Sequence, residues 1–211
     1  MKNNNIIRTY IIANILKNKI RTGWMEIEID KERLESVAEH VYGCLVLAIL
    51  IDSEYDLNLD MKKVLYMLTL HELEETLMPD YTVRSGITKE EKDKKGMECV
   101  FEATLGLIKQ DEIISLLNEF NERSSKEAEF CYLIDKIECD FQAKVYDLEG
   151  VFYIQKARED LKYYGDRAEE IESKSDSASD YWIEWDKPRY KDSYIFKELI
   201  EDIQKIETLE N

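Results

Sequence analysis

The sequence predicts an all-α protein, a helical bundle, and three observations carry that prediction. Only seven glycines and two prolines occur in 211 residues, well below average usage of roughly 7% and 5%, so the punctuation of a many-turned β fold is missing. Apolar residues recur at three- and four-residue spacing along most of the chain. Three Ser/Thr-x-x-Glu sequences stand where such segments begin. Nothing reads as a strand.

Taken in order, Ile6, Ile7, Tyr10, Ile11, Ile15 and Leu16 predict an amphipathic helix over 5–20. Ser36 and Glu39 form a capping box. It opens a helix with Val37, Val41, Cys44, Leu45, Ala48 and Ile51 on one side. Asp60 caps the next helix, which runs through Val64, Leu65, Leu68 and His71. That helix is expected to end near Met78, because Pro79 disfavours helical geometry in the residue before it. A box at Thr88 and Glu91 starts a charged helix with Met97, Val100, Phe101 and Leu105. Residues 111–121 read as a short helix. A box at Ser124 and Glu127 opens a long one through Phe130, Leu133, Ile134, Ile137 and Phe141. Past Tyr164 the pattern weakens: residues 172–180 are polar loop by composition, and a last helix covers about 192–207. The length suits one domain with a core of its own, residues 1–165 forming the core and 166–211 a polar loop and C-terminal helix packed on it.

Charge and cysteine usage narrow the function classes. The formal net charge is −17, which argues against nucleic-acid polymers and anionic membrane surfaces as partners. A small phosphorylated ligand stays within reach, since a bound dication inverts the local field. The longest apolar stretch, Cys44 to Ile51, falls far short of a ~20-residue membrane span, and residues 1–20 lack the apolar core of a signal peptide. Cys44, Cys99, Cys131 and Cys139 form no CxxC pair, which predicts free thiols in a cytoplasmic protein.

The chemistry gathers around the only two histidines, His40 and His71. His40 lies three residues past Val37 and four before Cys44, so it shares their apolar face. Glu72 and Glu75 follow His71 on the same side of the expected helix, and Asp80 lies just past its end. Asp135 sits among Cys131, Leu133, Ile134 and Ile137, where an unpaired carboxylate would be costly. The residues alone leave two readings open: a nitrogen- and oxygen-ligated divalent metal in a bundle core, or a buried hydrogen-bond network.

One histidine in a helix, then a histidine–acid pair, then a later lone aspartate resembles the HD-domain metal-dependent phosphohydrolases. RTGW at 21–24, ESVAEH at 35–40, HELEE at 71–75 with Asp80, ITKEEK at 87–92 and the stretch 124–143 are similar to the 5′-deoxynucleotidase (YfbR-like) branch of that family. The likeness covers roughly residues 15–150. It implies an HD-domain helical bundle that hydrolyses (deoxy)nucleoside 5′-monophosphates to nucleoside and phosphate. It also implies one divalent ion of the Mn, Co, Mg, Zn or Fe kind, a nucleotide as the small-molecule partner, and room for a homodimer.

By the same resemblance His40, His71, Glu72 and Asp135 hold the metal, although the family has aspartate where this chain has Glu72. The extra methylene moves the carboxylate by about 1.5 Å, so Glu72→Asp is expected to bind metal at least as well. The alternative supported by this departure is a catalytically weakened HD-fold nucleotide-binding or regulatory protein. Glu75 and Asp80 match the acids that flank the metal, one to orient a water acidified by the metal, one to protonate the leaving sugar oxygen. Without the resemblance each keeps a second reading, Glu75 as a solvated face residue beside Glu74 and Asp80 as a turn residue after Pro79. Arg21 resembles a phosphate-binding arginine, with Arg33 a second candidate. Trp24 either walls the sugar or base or is a core tryptophan.

Overall fold

Side-chain caps at Ser36, Asp60 and Thr88 set three of the helix starts where the sequence places them. The computed structural model describes residues 2–209 and falls into two units. The first comprises the chain up to Thr22 together with Glu35–Ile134, and the second Gly23–Leu34 together with the chain from Asp135 onward. Among the described residues the α-helices are α1 Lys2–Ala13, α2 Thr22–Glu26, α3 Val37–Tyr55, α4 Met61–Leu70, α5 Lys89–Thr104, α6 Gln110–Glu122, α7 Lys126–Leu148, α8 Ile154–Glu159, α9 Ala168–Lys174, α10 Ala178–Asp186 and α11 Tyr194–Gln204. No strand forms among these residues; an isolated bridge pairs Ile20 with Ser36. No described helix is long and apolar enough to cross a membrane.

In the first unit the Ser36–Glu39 and Thr88–Glu91 boxes both form reciprocally, and Asp60 accepts from the Lys63 amide at 3.1 Å. Val37, His40, Cys44, Ala48 and Ile51 make the buried stripe of α3. Gly96 sits inside α5 because Glu74 occupies the space beside it: a Cβ there would meet Glu74 Oε2 at 2.1 Å.

Three expectations are corrected here. The first helix stops at Ala13 and tightens into a 3-10 turn at Asn14–Lys17, and its Ile6, Ile7, Tyr10 and Ile11 are exposed. Its polar side meets the end of α5 instead: Asn5 Nδ2 donates to the Gly106 carbonyl at 2.5 Å and Thr9 Oγ1 to that of Ala103 at 2.9 Å. The last carbonyls of a helix lack intrahelical donors; Thr9 supplies one to Ala103, and Asn5 reaches Gly106 just past the helix end. The helix through Val64 ends at Leu70 rather than near Met78, and Leu73–Thr76 form a 3-10 turn. Lys19 holds this turn, its ammonium donating to the Glu75 carbonyl at 2.6 Å. Finally, α7 is capped by Ser125, whose hydroxyl accepts from the Ala128 amide at 3.1 Å. Glu127 is not the reciprocal partner of Ser124; it accepts from the Asp60 amide at 3.1 Å.

The second unit is built on Trp24, Ile27, Ala143, Tyr146, Phe152, Ile171 and Tyr181. Residues 172–180, expected as loop, are largely the end of α9 and the start of α10. Their polar side chains bond to backbone within the helices: Ser175 Oγ donates to the Ile171 carbonyl at 2.7 Å, and Asp180 accepts from the Ser177 amide at 3.0 Å. The last helix lies where expected, at Tyr194–Gln204.

Candidate metal centre

Backbone pairing just ahead of α3 positions the site. The Val37 amide donates to the Lys19 carbonyl at 2.8 Å and the Arg21 amide to that of Glu35 at 3.0 Å. Residues 19–21 are thereby zipped to the segment that leads into His40. One turn past the Ser36 cap, His40 is fully buried.

His71 follows the last residue of α4. Its Nδ1 lies 2.8 Å from the Leu68 carbonyl oxygen. A carbonyl can only accept, so Nδ1 carries the hydrogen and Nε2 presents a lone pair in the neutral ring. The ring centroids of His40 and His71 are 5.5 Å apart. Glu72, turned off the helical path at φ −97° and ψ 9°, places Oε1 at 3.5 Å from His40 Nε2 and 3.7 Å from His71 Nε2. Arg21 Nη1 donates to that oxygen at 2.9 Å.

Donors bound to one ion at about 2.0–2.2 Å in tetrahedral array stand about 3.4 Å apart. The two Glu72–histidine separations come close to that edge. Two imidazoles and a carboxylate form a donor set suited to first-row divalent ions, and ligand atoms of His40, His71 and Glu72 all lie within 4.8 Å of one another. These residues fit a divalent metal.

Glu75 and Asp80 belong to the same unit. Glu75 is 2% exposed. Burial first, and then the charges of Glu72 and Asp80, push its carboxyl up to about 10 against the opposing pull of Arg21 and Lys92, so it holds a proton at neutral pH. Asp80 accepts from the Thr22 amide at 2.7 Å, which brings it beside the arginine segment. Lys19 has no counterpart in the sequence reading. Its ammonium donates to the Glu75 carbonyl at 2.6 Å and to that of Met78, and lies 3.8 Å from Glu75 Oε2. Nothing in the sequence distinguishes it from neighbouring Lys17; only the zipped backbone reveals its reach.

Three of the expected site residues belong to the second unit. Trp24 is 1% exposed, packed edge-on to Tyr146 at 5.3 Å and against Trp182 at 4.8 Å. Of its two possible roles, this burial carries that of core tryptophan. Asp135 is the first residue past Ile134 on the unbroken α7, buried, with Lys136 Nζ at 2.8 Å. Arg33 is exposed.

The model of the HD domain family matches residues 13–178. The chain is 31% identical to the 5′-deoxynucleotidase HDDC2 of Dictyostelium discoideum over 150 residues, covering 68% of this chain and 78% of that one. It is also 31% identical to the 5′-deoxynucleotidase hdd1 of Schizosaccharomyces pombe, over 67% and 71% of the two chains. Among solved structures, a conserved hypothetical protein from Pyrococcus furiosus shares the fold with a TM-score of 0.67 at 20% identity, covering 95% of this chain and 99% of that chain.

Proposed function

Because this chain belongs to the HD-domain family, we propose that it is a metal-dependent phosphomonoesterase that hydrolyses deoxynucleoside 5′-monophosphates to nucleoside and phosphate. The observation that carries the reading is the position of Glu72. Its carboxylate stands between the two histidines and against Arg21, so the longer acid reaches the place a ligand must occupy.

His40, His71, Glu72 and Asp135 would hold the ion. Asp135 joins this set by the resemblance to the HD-domain family. When bound, a divalent ion supplies Lewis acidity at phosphoryl oxygens and a water of lowered pKa. Arg21 supplies positive charge and N–H donors to the phosphoryl oxygens. During hydrolysis the bond from phosphorus to the sugar oxygen breaks and the oxygen of water joins phosphorus. Glu75, protonated at neutral pH, gives its proton to the departing sugar oxygen. Asp80, acceptor to the Thr22 amide next to Arg21, orients the water. The exposed Ile6, Ile7, Tyr10 and Ile11 of α1 support self-association as a homodimer.

The test is phosphate release from a panel of ribo- and deoxyribonucleoside 5′-monophosphates by protein loaded in turn with Mn²⁺, Co²⁺, Mg²⁺ or Zn²⁺. Release from deoxynucleotides with at least one ion is expected. Silence across the panel from protein shown to hold metal rejects the activity.

A further inference from the structure

The ITKEEK segment at 87–92 gives α5 its capping box and ends on Lys92. Lys92 lies one turn past the Thr88 cap and is half-buried. Among the described residues its ammonium has neither a hydrogen bond nor an ion pair. Holding a cation partly out of water without an anion is costly, and a chain with 46 acidic residues has no shortage of anions to offer it. Packing sets where this lysine points. Lys92, Gly96 and Cys99 recur on one face of α5, and at Gly96 that face lies against Glu74 of the 3-10 turn. Lys95, one turn on from Lys92, stands over the Tyr81 ring at 5.8 Å. Lys92 therefore faces the stretch from Glu75 to Asp80, within the first unit. Arg21 and Lys92 both bring positive charge to the buried Glu75 carboxyl.

We propose that Lys92 is a second phosphate-binding cation, its ammonium donating to the non-bridging oxygens of the substrate's phosphomonoester dianion beside Arg21. The proposal rests on the hydrolase reading above. A phosphomonoester approaches two negative charges at neutral pH. Arg21 does not meet that charge by itself, because its Nη1 is already bonded to Glu72 at 2.9 Å. A lysine adds a compact charge and three donors on a flexible stem. The leaving oxygen takes its proton from Glu75, so the ester lies next to that carboxyl. A cation on the same side of the turn then meets the phosphoryl end of the nucleotide rather than its base.

Calorimetric titration of the metal-loaded protein with inorganic phosphate, and separately with a deoxynucleoside, tests this. Lys92→Met is expected to weaken phosphate binding by about 10-fold or more, the scale of a charge-assisted hydrogen bond. Deoxynucleoside affinity, bound metal and melting temperature should stay at wild-type values. Lys92→Arg should recover most of the loss, and Lys94→Met, at an exposed position of the same helix, should show none. In turnover of deoxynucleoside 5′-monophosphates the Lys92→Met defect should appear as a raised KM. Equal phosphate affinity in wild type and Lys92→Met overturns the proposal and leaves the hydrolase reading in place. A shifted pH profile of kcat at unchanged phosphate affinity overturns it too, and makes Lys92 a residue that tunes the Glu75 proton. Equal losses of phosphate and deoxynucleoside binding also overturn it, since the whole pocket would then be damaged. Metal-loaded wild type that neither binds phosphate nor releases it from nucleotides overturns the hydrolase reading, and the second cation with it.

Discussion

Lys19 holds the backbone of Glu75: its ammonium donates to the Glu75 carbonyl oxygen at 2.6 Å and also caps that of Met78. The 3-10 turn at Leu73–Thr76 and the residues leading to Asp80 thus depend on a side chain more than fifty positions earlier. Hydrogen bonds from a charged donor contribute about 1.5–3 kcal/mol each. Lys19→Met should therefore lower stability by about 3 kcal/mol or more in urea unfolding and weaken metal binding, because the same turn carries Glu72. Unchanged unfolding and unchanged metal titration would show that the turn stands without its clamp.

Removing a histidine should empty the centre. His71→Ala loses one imidazole from a small donor set, and such losses are rarely compensated; elemental analysis should find little bound metal. Glu72→Asp should also bind more weakly than the parent. The resemblance favours the shorter acid, but Glu72 Oε1 lies within 3.7 Å of both histidines and 2.9 Å from Arg21. Shortening the chain withdraws the carboxylate by about 1.5 Å. An aspartate variant with undiminished affinity would mean that the backbone at Glu72 follows the side chain.

How much of this was legible beforehand differs by residue. The caps at Ser36, Asp60 and Thr88 were readable because a local side-chain-to-amide bond decides them. The histidines were readable because a buried polar group on an apolar face needs a reason. Ser125 displaced Ser124 because Glu127 had a better partner in the Asp60 amide, a contact between distant segments. The end of α4 was misplaced for a similar reason. Pro79 is a local stop signal, whereas the turn at 71–76 is held by Lys19 and by Glu74 lying over Gly96.

Asp140, in the second unit, makes the fold pH-sensitive. It is fully buried and accepts from the Tyr190 hydroxyl. Burial, aided by the charge of Asp186, pushes its carboxyl well above the usual range, while the Tyr190 hydroxyl, Arg189 and Lys136 pull the other way. The native state then keeps a proton that the unfolded chain releases, so this contribution is complete below the ordinary aspartate value and is lost as pH rises towards the raised one. Asp140→Asn should flatten that decline. Melting temperatures followed from mildly acidic to mildly alkaline pH check it, and parallel curves for the two proteins would refute the assignment.

Glu75 distinguishes catalysis from metal binding. Its carboxyl is 2% exposed and holds a proton at neutral pH, chiefly through burial and then through the charges of Glu72 and Asp80. Glutamine matches that neutral acid in shape, so Glu75→Gln should keep the fold and leave the centre loaded. It cannot give a proton to a departing sugar oxygen. Turnover of deoxynucleoside 5′-monophosphates should fall by about 10²-fold or more, the usual worth of a positioned acid or base, with KM little changed. A substrate whose leaving group needs no proton, such as 4-nitrophenyl phosphate, should lose much less. This contrast separates a proton donor from a residue that merely supports the turn, since damage to the turn would slow both substrates alike. Equal losses on the two substrates would transfer the proton to Asp80 or to solvent and leave Glu75 a structural part of the turn that Lys19 holds.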